Sequence, residues 1–97
     1  MTLTPAKTLH AHIVCKKDIC GGKPIIKGAR TSVVNIVGYH KLGLNPEEIR
    51  AELPHLNLAQ IYDALAYYYD NQKIIDKYID EEMEEVIAKK FFKINYQ

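Results

Sequence analysis

At 97 residues the chain has room for one domain (1–97) with a modest core, and not for two. Its 47% apolar and 26% charged residues exclude a disordered chain, and no apolar run reaches the roughly 18 residues that a membrane span needs. The net charge of +1 conceals a polarity: residues 1–50 carry eight Lys/Arg against three Asp/Glu, and residues 51–97 carry five against nine.

Met1 to His12 lacks the apolar stretch of a secretory signal, so a cytoplasmic location is expected. Met1 to Leu9 is polar and expected to fray. His10 to Lys16 reads as a short strand, Cys20-Gly21-Gly22 as a turn, and Pro24 to Lys27 as a second strand ended by Gly28. Together, 10–30 form a β-ribbon, which is marginal alone and has to lie on helices or on a partner chain.

The first helix starts at Thr31 or Ser32, presents Val33, Ile36, Val37 and His40 at helical spacing, and stops at Gly43. Asn45-Pro46-Glu47-Glu48 is a strong start signal: a capping Asn, a proline at the first helical position, and a glutamate that closes a capping box. This second helix is short because Pro54 disfavours helical geometry at Leu53; its inward residues are Ile49 and Leu53. Asn57 and Gln60 repeat the capping pattern for a third helix lined by Leu58, Ile61, Leu65 and Tyr68 and ended near Asp70-Asn71. A fourth runs from about Ile74 to Phe91, with Ile75, Tyr78, Ile79, Val86 and Ile87 as its stripe and Asp76, Asp80, Glu81, Glu84 and Glu85 opposite.

The expected fold is mainly α: a homeodomain-like, three-helix (helix-turn-helix) core over 32–71, an N-terminal β-ribbon, and an extra C-terminal helix over 74–91. In such a unit the third helix normally enters the DNA major groove. Here that helix objects, since no Lys or Arg lies between Ala51 and Gln72 while phosphate neutralisation supplies most DNA affinity. Its start offers only Asn57 and Gln60 for base edges. DNA contact therefore has to draw on Lys16, Lys17, Lys23, Lys27 and Arg30 of the ribbon. The alternative is helix-turn-helix topology without DNA binding.

Asp18-Ile-Cys-Gly-Gly-Lys-Pro-Ile-Ile-Lys-Gly-Ala-Arg-Thr-Ser-Val33 resembles the signature of the domain-of-unknown-function 433 family. Leu42-Gly43-Leu44-Asn45-Pro46-Glu47-Glu48-Ile49, Leu53-Pro54-His55-Leu56-Asn57-Leu58 and Ala64-Leu65-Ala66-Tyr67-Tyr68 resemble its downstream motifs, in order. Ala29 stands where that family usually has Thr. The resemblance implies a homeodomain-like fold and a role related to VapB-type antitoxins, in which the protein accompanies a PIN-like ribonuclease toxin. A basic half for operator DNA and an acidic helix for the toxin would fit the charge polarity. The rival is a homodimeric protein-interaction module with no DNA affinity.

Tyr62, Tyr67, Tyr68 and Tyr69 crowd the third helix and cannot all face inward; Tyr67, Tyr69 and, on the fourth helix, Tyr78 are the candidate dimer or partner contacts. Catalysis, metal and cofactor are not expected. His10 and His12 would face away from Cys15 on a strand, and Cys15 and Cys20 only loosely match zinc-ligand spacing. Nothing in the sequence sets a base beside Cys20. Gly21-Gly22-Lys23 lacks the spacing of a phosphate loop, and the carboxylates from Asp80 to Glu85 read as a solvated helix face.

Overall fold

The computed structural model describes residues 9–95, with side chains described as far as Lys89. The N-terminal segment expected to fray lies, apart from Leu9, outside the described residues. The order of elements is strand β1 (Ile13–Cys15), a 3-10 turn (Cys20–Gly22), strand β2 (Pro24–Ile26), then helices α1 (Val33–Lys41), α2 (Pro46–Glu52), α3 (Leu58–Asp70) and α4 (Gln72–Asn95).

The expected ribbon is present with three-residue strands. β1 and β2 are antiparallel, pairing Ile13 with Ile26, Val14 with Ile25 and Cys15 with Pro24. All of β2 is buried, which ties the ribbon to the helices rather than leaving it in water. The chain then doubles back: the Ile26 amide donates to the Thr31 carbonyl at 2.7 Å and Ile25 bridges Ser32. This turn uses left-handed backbone at Gly28 and at Arg30 (φ 56°).

Each helix start follows from its cap. The Ser32 hydroxyl accepts from the Asn35 amide, so of the two candidates Ser32 is the N-cap of α1. Asn45 with Glu48 and Asn57 with Gln60 form complete capping boxes at α2 and α3. Gly43, at φ 98°, follows α1 in the left-handed conformation that halts it.

The core lies where α1, α2 and α3 meet, around Val33, Ile36, Val37, Ile49, Leu56, Ile61, Ala64 and Tyr68, with Ile26 below and Ile75 at the edge. The bounds of α4 are corrected: the helix runs from Gln72 to Asn95 rather than from Ile74 to Phe91. Its stripe is divided: Ile75 is buried and Tyr78 and Ile79 are half-buried, but Met83, Val86 and Ile87 are exposed, as is every residue from Asp80 to Lys89. A 24-residue helix is about 36 Å long, roughly twice the length of α3, so its outer half outruns the body it rests on. Leu53 is half-buried as the C-cap of α2.

No helix among the described residues is long and apolar enough to cross a membrane.

Candidate functional site

α3 is the helix on which the sequence sets its candidate base-reading and partner residues, and its circumference divides into three. Ile61, Ala64, Leu65 and Tyr68 face the core. One flank is covered by the N-terminal segment: the His10 Nδ1 lies 3.0 Å from Asp63 Oδ1, its Nε2 lies 2.8 Å from Asp70 Oδ2, and the His12 amide donates to Asp63 Oδ2 at 2.8 Å. The His10 ring also meets Tyr67 edge-on at 5.3 Å. The remaining flank is open and carries Ala59, Tyr62, Ala66 and Tyr69, all exposed.

Burial alone would push the His10 imidazole down, yet the hydrogen bonds and charges of Asp63 and Asp70 outweigh it and raise its pKa above the ordinary 6.5. With a carboxylate facing each ring nitrogen, both nitrogens donate in the imidazolium form. This clasp was not legible in the sequence, where His10 stands as a strand residue and a weak zinc candidate. Among the described residues no group of three or more His, Cys, Asp or Glu is arranged to hold a metal ion.

The sequence-derived DNA candidates separate into three sets. Lys16 and Lys17 follow β1, whereas Lys27 and Arg30 lie in the turn beyond β2, at the opposite end of the ribbon. All four are exposed. Lys23 turns instead to α4: its Nζ sits 4.9 Å from the centre of the Tyr78 ring and 3.6 Å from Glu82 Oε2. Asn57 and Gln60 spend their side-chain oxygens on each other's backbone amides, both at 2.8 Å, so they build the α3 cap.

The three candidate partner tyrosines part in the same way. Tyr69 is on the open flank, 57% exposed, with its hydroxyl 2.7 Å from His40 Nε2. Tyr67 is half-buried behind His10, and burial pushes its hydroxyl pKa up. Tyr78 is half-buried beneath Lys23. Tyr62, 56% exposed on the open flank, is the residue that a reading from tyrosine crowding passes over. Its signal is spacing: Ala59, Tyr62, Ala66 and Tyr69 recur at three, four and three residues.

α4 is seated by a second polar cluster. The Tyr68 hydroxyl donates to Asp76 Oδ1 at 2.8 Å, and Lys41 Nζ is 3.1 Å from the same oxygen. The Tyr68 hydrogen bond and then Lys41 hold the Asp76 carboxyl below its usual range. Beyond this seat, α1 and α4 border a groove of about 550 Å³ lined by Val34, Gly38, Leu42, Ile79, Met83 and Val86 among others.

The model of a family described as "Protein of unknown function (DUF433)" matches residues 13–68. Among solved structures, the chain is similar to the crystal structure of a DUF433 member protein from Anabaena variabilis ATCC 29413, at 29% identity and a TM-score of 0.68, over 77% of this chain and 74% of that one. A search of curated proteins finds no match.

Proposed function

The chain belongs to the DUF433 family, and from that premise we propose that it is a homodimeric protein-interaction module that keeps helix-turn-helix topology and does not read DNA through α3. One observation carries this reading. The open flank of α3, which in a DNA reader bears cations and base-reading side chains, bears Ala59, Tyr62, Ala66 and Tyr69. A surface of small and aromatic side chains without charge suits a protein and offers phosphate nothing.

The outer half of α4 supports a second contact of the antitoxin kind. Met83, Val86 and Ile87 are exposed beside Glu81, Glu82, Glu84 and Glu85. An amphipathic helix of this sort seats in an apolar groove with a basic rim, the role that a PIN-like ribonuclease partner would fill.

The operator-binding reading has its own observation: Lys16, Lys17, Lys27 and Arg30 are exposed and, among the described residues, form no ion pair. Fluorescence anisotropy of the full chain on its own upstream DNA and on a scrambled duplex, at low and physiological salt, decides between the two. The module reading expects no preference for either duplex. Preference for the chain's own DNA that weakens steeply with salt would replace it with the regulator reading.

A further inference from the structure

We infer that the open flank of α3 is a self-complementary seam on which a second copy of this chain docks antiparallel. The inference rests on the module reading and names the occupant of its surface.

The argument starts from size alternation. Along the flank the side chains run small, large, small, large: Ala59, Tyr62, Ala66, Tyr69. Two copies of this helix related by a two-fold axis perpendicular to it run antiparallel, and the same patch of each copy forms both sides of the contact. With the axis midway between Tyr62 and Ala66, Tyr62 of each copy faces Ala66 of the other. Ala59 and Tyr69 share that midpoint, so they face each other as well. Every tyrosine meets an alanine and none meets a tyrosine, which is knob-into-hole packing in a single register. A parallel pair in register would instead set tyrosine on tyrosine and alanine on alanine.

Charge favours the same arrangement. The flank carries no ionised side chain from Ala59 to Tyr69, so nothing charged is stranded by closing it. Asp70, one of whose oxygens holds His10 Nε2 at 2.8 Å, sits at the C-terminal end of its own α3, where the helix dipole disfavours a carboxylate. In the antiparallel pair it lies beside the N-terminal turn of the second copy's α3, where a carboxylate is favoured. Parallel helices would leave Asp70 beside another C-terminus.

The tyrosines are prepared for burial. Tyr69 already has its hydroxyl on His40, and its ring is braced edge-on by His40 at 5.7 Å and by Tyr68 at 4.9 Å. Its conformational cost on docking is therefore small. Tyrosines bury up to about 200 Å² each, so covering the exposed halves of the four in a pair removes about 400 Å². That is the centre of a small interface, below the roughly 1,000 Å² of a stable one, so the dimer is weak and concentration-dependent rather than obligate.

The test needs no other protein: light scattering of the full chain across the micromolar range, with thermal unfolding as a check that each variant folds. Wild type shifts from monomer to dimer with concentration. Ala66→Arg raises the dimer dissociation constant at least tenfold, as do Tyr62→Ala and Ala66→Tyr alone. The size-exchanged double variant, Tyr62→Ala with Ala66→Tyr, recovers the wild-type constant within about threefold, because the holes and knobs have only traded places. The register is checked in a background with Cys15 and Cys20 replaced by Ser. A mixture of Tyr62→Cys and Ala66→Cys chains forms a disulfide-linked dimer on oxidation, and neither alone does. A wild type that stays monomeric, or a dimer indifferent to Ala66→Arg, overturns the seam. A monomeric wild type also removes the homodimeric part of the module reading, whereas a dimer indifferent to Ala66→Arg overturns the seam alone; absence of DNA reading through α3 is tested separately by the anisotropy experiment.

Discussion

His10 is bonded to Asp63, 53 residues away in sequence, through Nδ1 and Oδ1 at 3.0 Å, and this contact fastens the N-terminal segment onto α3. Asp70 closes on the opposite ring nitrogen at 2.8 Å. One side chain thus spans two turns of the helix and fixes where the ribbon begins.

The clasp makes stability depend on pH in a stated direction. The folded-state pKa of His10 is raised, so its contribution is fully present below the unfolded value of about 6.5 and is lost as pH rises through the raised value. His10→Gln is expected to cost about 1.5–3 kcal/mol in mildly acidic buffer, the range for hydrogen bonds to charged groups. In alkaline buffer the cost shrinks. Thermal unfolding of both proteins across the window measures it; a gap between wild type and variant that stays constant or widens with rising pH contradicts the clasp.

The two halves of α4 differ in what their apolar residues do. Ile61, fully buried on α3, and Ile75, fully buried on α4, belong to the core, while Val86 and Ile87 stand in solvent. Ile61→Ala and Ile75→Ala are expected to cost about 2–5 kcal/mol each, a large share of a small domain's stability. Val86→Ala and Ile87→Ala stay within about 0.5 kcal/mol. Denaturant unfolding of the four variants checks this. A cost above 2 kcal/mol at Val86 would mean that the outer half of α4 packs on something within its own chain.

What was legible in the sequence was local. The caps at Asn45 and Asn57, the stop at Gly43 and the antiparallel ribbon each depend on residues within a few positions of one another, and all are present. Asn57 and Gln60 show the limit of that reading, because the same pair was recognisable as a capping box and as two amides free to read bases. Only the hydrogen bonds at 2.8 Å show that their oxygens serve the helix. The clasp at His10 joins residues that no local rule connects. The stripe of α4 was legible only in part for a related reason: periodicity shows which residues share a face, and it does not show how far the body beneath that face extends. The open flank of α3 was present in the spacing of Ala59, Tyr62, Ala66 and Tyr69, but alanine carries little weight in a reading that searches for charge and bulk.

Arg30 stands in left-handed backbone at φ 56°, a conformation that costs an ordinary residue roughly 1–2 kcal/mol and costs glycine almost nothing. The carbonyl of Arg30 faces Cys20 Sγ at 3.8 Å, and the next residue, Thr31, sets its hydroxyl 2.7 Å from His55 Nε2, so neighbours on both sides hold the turn. Arg30→Gly relieves the backbone while adding freedom to the unfolded chain, and the two effects nearly cancel. Its stability is expected within about 1 kcal/mol of wild type. Arg30→Val, whose branched side chain resists this conformation, is expected to fall below wild type by about 1–2 kcal/mol. Thermal unfolding ranks the three, and a Val variant as stable as the Gly variant would contradict the strained turn. The pair also separates backbone from charge, since both variants remove the guanidinium. If Arg30 meets phosphate, both lose DNA affinity equally and only Val loses stability; under the module reading, the stability difference is all that appears.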